Sequence, residues 1–144
     1  MVSGERDSDI LLVASGATVG ESWKAAQALA AQGIRAKVIN VVSLNKIQRE
    51  NSTFVRQYLE DGVPILTAHD AEAHALGHRV MEAVNTARKL GKKPGMVLAS
   101  LGANVSPLSN HVGSGSSEEN YRCNQLDAAG IAAVARQLLK KIAD

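Results

Sequence analysis

One cysteine in 144 residues, Cys123, excludes an internal disulfide. It reads as a bland residue rather than a nucleophile, and a cytosolic setting is the default for a chain without cross-links. Aromatic residues are almost as scarce, with Trp23, Phe54, Tyr58 and Tyr121 the whole set. Readers of nucleic acid stack bases on such rings beside clustered Arg and Lys, so the composition argues against that class. No apolar run approaches the roughly 20 residues a membrane-spanning helix needs. The segment from Met1 to Asp9 is polar and of mixed charge, unlike a signal or transit peptide, and is expected to be a tail ahead of one domain over 10–144. Neither sign of charge dominates: 16 basic residues face 14 acidic ones, a formal charge of +2. The densest basic run, Arg88-Lys89 with Lys92-Lys93, reads as a solvated helix end, where the helix dipole favours cations. There is no internal repeat, and the sole low-complexity stretch is Val112-Gly-Ser-Gly-Ser-Ser117.

The sequence is rich in small and branched aliphatics. Apolar residues make up 45%, chiefly Ala, Val, Leu and Ile, which suits close packing of helices on a sheet. A chain of this length buries roughly two-thirds of the surface its unfolded form exposes, so one core is expected. Ile10-Leu-Leu-Val-Ala14 is an unbroken apolar run ending at Ser15-Gly16, the pattern of a strand buried on both faces. From Glu21 to Gln32, Trp23, Ala26 and Ala30 recur at helical spacing, and Gly33 supplies the stop. Ala36 to Val42 is strand-like, which completes a βαβ unit. A short helix near Thr53 to Leu59, a strand Pro64–Ala68, a long helix from about Ala73 to Leu90 and a strand Met96–Ser100 follow. Asp127 is placed as N-cap of a closing helix with Ile131, Val134, Leu138 and Ile142 along one face. Such alternation predicts an α/β fold with a mostly parallel sheet covered on both sides.

Three places carry residues with chemical potential. The turn Ser15-Gly16-Ala17-Thr18-Val19-Gly20 leads into a helix start, where unpaired N–H groups favour an anion, with Ser15 and Thr18 as added donors. It lacks the glycine order of a dinucleotide fold and the Gly-Lys-Ser/Thr ending of a P-loop, so an ordinary capped turn competes with a phosphate or carboxylate site. His69 stands beside Asp70, and His74 and His78 share a helical face. That set can serve as metal ligands, as a contact for a partner, or as ordinary helix histidines. His111 and Ser114 lie in a Gly/Ser-rich loop suited to a lid or contact surface. No Gly-x-Ser-x-Gly elbow activates a serine there.

The ordered string Ile10-Leu-Leu-Val-Ala-Ser-Gly16, an Ala-rich helix, then Gly33-Ile-Arg-Ala-Lys-Val-Ile-Asn-Val-Val-Ser-Leu44 resembles the opening of the transketolase C-terminal domain. Pro64-Ile-Leu-Thr-Ala-His-Asp70 with Leu76-Gly77 is similar to that family's next strand and helix start. Gly113-Ser-Gly-Ser-Ser-Glu-Glu119 with Leu126-Asp-Ala-Ala-Gly-Ile131 looks like its glycine-serine loop and closing helix. The likeness runs from about Asp9 to Lys141 and rests on the order of several weak motifs. It implies a three-layer α/β/α domain around a five-stranded sheet with one antiparallel edge strand. It further implies that thiamine diphosphate and Mg2+ are bound by other domains of the parent enzyme or by a partner chain, that this chain binds no cofactor, and that the domain makes dimer or regulatory contacts. The sequence departs from the family pattern at His69-Asp70, where two acidic residues are usual, at His74-Ala75, which replace two glycines, and at Thr18, which stands in place of a glutamate. A free-standing binder of small phosphorylated molecules is the alternative reading, and a metal enzyme built on His69, His74 and His78 is a third.

Overall fold

Strand β1 (Ile10–Ser15) runs through the middle of the sheet, and every residue from Ile10 to Ala14 is buried. The computed structural model describes residues 8–41, 58–69, 73–102 and 126–143, without the side chains of 73, 74 and 143. After β1 come α1 (Thr18–Ala30), β2 (Ala36–Asn40), β3 (Ile65–His69), α2 (Ala73–Lys89), β4 (Val97–Leu101) and α3 (Ala128–Ala143). The strands pair in the order β2-β1-β3-β4, all parallel. A fifth strand and an antiparallel edge strand are not found among the described residues. The short helix expected near Thr53 lies almost wholly outside them.

The strand order dictates the layers. The crossover from β1 to β2 moves one way across the sheet and that from β3 to β4 moves the other. Right-handed crossovers in opposite directions place their helices on opposite faces. Side chains of β1 alternate accordingly. Leu11 and Val13 join Leu76, Val80, Ala83, Val84 and Ala87 of α2 on one side. Ile10, Leu12 and Ala14 join Ala25, Ala26 and Leu29 of α1 and Ile131, Ala132 and Ala135 of α3 on the other. Each fully buried Leu or Ile contributes roughly 1.5–3 kcal/mol of transfer free energy, so these two seams dominate the stability of the fold.

The face that α1 buries differs from the sequence expectation. Its inward residues are Thr18, Ser22, Ala25, Ala26 and Leu29, whereas Trp23 is 60% exposed and Ala30 is also at the surface. Small residues let the helix backbone lie close to the sheet, and the indole is too large for that gap. Gly33 ends the helix as expected, with φ +79, a conformation that costs glycine nothing. On α3, Ile131 is buried and Val134 and Leu138 pack against the core, but Ile142 has left it and is exposed.

The amino ends of the strands are tied by polar contacts. Ser8, expected in the tail, is buried and its hydroxyl donates to Glu60 Oε2 at 3.1 Å. Asp9 Oδ2 accepts from the Arg35 amide at 2.8 Å. Nearby, Gly95 runs so close to the Val63 carbonyl that no side chain fits there.

Candidate functional site

In an open parallel sheet, ligands bind outside the carboxyl ends of the strands where the strand order reverses. Here that point lies between β1 and β3. Ser15 and His69, the last residues of those strands, are direct register neighbours there. Both are half-buried. The chain leaves β1 through Gly16 at φ +66, a left-handed turn that aims the following backbone into α1. Gly16, Ala17 and Gly20 are exposed, and a methyl group at Gly20 would meet nothing within 4 Å.

Thr18 sits in this turn but does not face the crevice. It is fully buried, and its hydroxyl lies 2.7 Å from the Ser15 carbonyl oxygen and 2.8 Å from that of Ala68. The hydroxyl proton is thereby directed inward, and Thr18 ties the ends of β1 and β3 to the first turn of α1. Thr18 was expected as an added anion donor; in the structure its hydroxyl is engaged with these two backbone carbonyls. Ala17, at the N-cap, offers no side-chain acceptor for the helix start. Val19 N–H donates to the Gly16 carbonyl oxygen at 3.2 Å, so what the turn can offer a ligand is Ser15, beside the His69 imidazole, and the remaining backbone of the turn.

The histidines expected to gather do not form a described metal centre. His78 is on the outer surface of α2, with Nε2 2.9 Å from Glu82 Oε1 one turn on. Arg79 shares the same carboxylate at 3.6 Å. Exposed pairs of this kind contribute only a few tenths of a kcal/mol. Asp70, His111, Ser114 and the side chain of His74 lie outside the described residues. Among those described, no group of three or more His, Cys, Asp or Glu could hold a metal ion.

The described carboxylates have other work. Asp9 binds Arg35, Glu60 accepts from Ser8, and Asp61 accepts from the Lys93 amide at 3.3 Å. Asp127 Oδ1 caps α3 by accepting from Gly130 N at 3.0 Å, as expected for an N-cap. Glu21, on α1, accepts from Ala128 N at 2.9 Å and so caps the same helix from a different element. Sequence reading missed this staple, because the two residues are 107 positions apart. A Mg2+-diphosphate site asks for converging oxygen ligands. These carboxylates are dispersed along the amino end of the sheet, the start of α3 and the outside of α2, and do not fit one.

Comparisons with known proteins agree with this architecture. The family model described as the transketolase-like TK C-terminal domain matches residues 1–92. Among solved structures, a split-gene transketolase described as an inactive beta4 tetramer superposes with a TM-score of 0.68 at 23% identity, covering 94% of this chain and 40% of that one. Transketolase from Leishmania mexicana gives 0.67 at 18% identity, covering 96% of this chain and 17% of that one. A transketolase mutant from Pichia stipitis gives 0.64 at 18% identity, covering 95% and 17%. The chain thus spans less than half the length of each of these proteins. A search of curated proteins finds no match.

Proposed function

Since the chain belongs to the family of transketolase-like C-terminal domains, we propose that it is the non-catalytic assembly domain of a thiamine diphosphate-dependent, transketolase-like transferase in the cytoplasm. Its partner in this reading is the set of domains that hold thiamine diphosphate and Mg2+, either on a separate chain or in the same polypeptide, and the complete enzyme is an oligomer. The observation that carries the proposal is the dispersal of the carboxylates among the described residues: Asp9, Glu21, Glu60, Asp61 and Asp127 are each engaged in contacts that hold the fold, Glu82 pairs with His78 on the outside of α2, and no three of them converge as metal ligands. The split-gene relative, described as an inactive beta4 tetramer and more than twice as long as this chain, supports the idea that a transketolase can be divided so that the piece with this domain forms a separate subunit. No catalytic residue is assigned to this chain.

The test is reconstitution. This chain is mixed with a transketolase-like chain that carries the thiamine site and lacks a C-terminal domain, and turnover and mass in solution are measured. The expected result is a complex with thiamine-dependent turnover that neither component has alone. Tight binding of thiamine diphosphate with Mg2+ by this chain alone, or no association and no gain in turnover, overturns the proposal.

A second reading is favoured by the place of Ser15, Gly16 and His69 at the reversal of strand order: the carboxyl end of β1 and β3 would take a small phosphorylated molecule on the backbone of the Ser15–Gly20 turn. Calorimetric titration with sugar phosphates checks it. Heat that disappears on Ser15→Ala supports the reading, and absence of heat removes it.

A further inference from the structure

The corner that joins α2 to β4 carries more charge than the helix end explains. Arg88 and Lys89 lie in the last turn of α2, where the helix dipole accounts for them. Lys92 and Lys93 lie beyond the end of the helix, past Gly91, whose φ of +85 turns the chain. Arg88, Lys89 and Lys93 are exposed and Lys92 is partly so. None of the four forms an ion pair with a described carboxylate. Asp61, the nearby acid, is engaged with the Lys93 backbone N–H. The same short segment leaves Leu90 49% and Met96 65% exposed. Leu90 and Met96 thus stand exposed within the same nine-residue segment that carries the four cations.

We propose that the surface over residues 88–96 is a docking site for an acidic segment of a partner protein that carries apolar side chains between its carboxylates. Leu90 and Met96 supply the contact, the thioether adapting to the side chain it meets. The cations at 88, 89, 92 and 93, close to them in sequence, supply steering and salt sensitivity. The chemistry favours an acidic peptide over the other polyanions. A nucleic acid would ask for stacking aromatics, and the segment has none. A membrane surface would ask for a broader apolar face than one Leu and one Met. The proposal is independent of the assembly reading, since it concerns the chemistry of one surface and holds whichever protein bears the segment.

The probe is a short labelled peptide of repeated Asp-Glu-Leu units, titrated into the full chain by fluorescence anisotropy. Binding is expected to weaken as salt rises. It should fall about tenfold in the Lys92→Glu/Lys93→Glu variant and several-fold in Leu90→Ser/Met96→Ser. Lys140→Glu/Lys141→Glu, which makes the same charge change on α3, should leave it unaltered. Arg88→Gln/Lys89→Gln is the milder second variant should the charge reversal impair folding, as judged by circular dichroism. Equal loss in the α3 variant, no loss in the 88–96 variants, or tighter binding of phosphatidylserine vesicles or duplex DNA than of the peptide overturns the proposal.

Discussion

A methyl group at position 95 would be driven into the Val63 carbonyl and would sit 2.7 Å from the Pro64 nitrogen. Because the obstacle is backbone, Gly95→Ala is expected to cost about 3 kcal/mol, at the upper end of overpacking effects. At Gly77 the obstacle is a side chain: the added carbon would lie 2.9 Å from Ser100 Cβ, with the Ser100 hydroxyl closer still. Ser100→Gly should therefore relieve Gly77→Ala and leave Gly95→Ala as damaging as before. Urea unfolding of the single and paired variants separates the two cases, and rescue of both by Ser100→Gly would show that the damage is not local. Thr18 supplies a third residue-scale test. Thr18→Val keeps the shape but leaves the Ser15 and Ala68 carbonyls without their donor, at about 1–2 kcal/mol, while Thr18→Ser should lose much less. The sequence places Thr18 in a turn ahead of a helix expected from Glu21, whereas α1 begins at Thr18 itself. Nor does the sequence show where the hydroxyl points, because the Ala68 carbonyl comes from a strand 50 residues further on.

At the scale of elements, local signals are read well and long-range ones are not. Asp127 was legible as an N-cap because the amide it binds is three residues away. Gly33 was legible as a helix stop for the same reason. Glu21 was not, although it binds the Ala128 amide, two residues before the Gly130 amide that Asp127 serves. The inward face of α1 was also misjudged: periodicity identifies a stripe, but the distance between helix and sheet decides whether alanine or tryptophan fills it. The shared cap gives a prediction. Glu21→Ala and Asp127→Ala should each cost about 1 kcal/mol, as N-cap losses do. Glu21→Gln, which keeps an acceptor oxygen, should cost less. Hydrogen exchange should show the first turn of α3 opening in both alanine variants, and α1 should stay protected in Asp127→Ala. If Glu21→Ala leaves the start of α3 as protected as before, the staple does not hold that helix.

For the whole molecule, alternation of strands and helices predicts a parallel α/β fold, but periodicity does not order the strands. The order β2-β1-β3-β4 depends on which faces the helices cover, a property of the assembled layers. It puts β1 between two strands and between two helical layers, with Leu11, Val13 and Ala14 wholly shielded from solvent. Amides of β1 should therefore exchange only through global unfolding, the slowest class, while the last turn of α3, with Lys140, Lys141 and Ile142 exposed, should open with almost no cost. The proposed assembly role adds a further expectation. When the thiamine-carrying partner binds, surface elements should gain protection and β1 should gain only what mass action adds to global stability, about 2.7 kcal/mol at a hundredfold excess of partner over Kd. Exchange measured with and without the partner distinguishes the possibilities. Selective protection of surface elements maps the contact, unchanged exchange throughout counts against assembly, and early exchange of β1 in the free chain counts against a core centred on that strand.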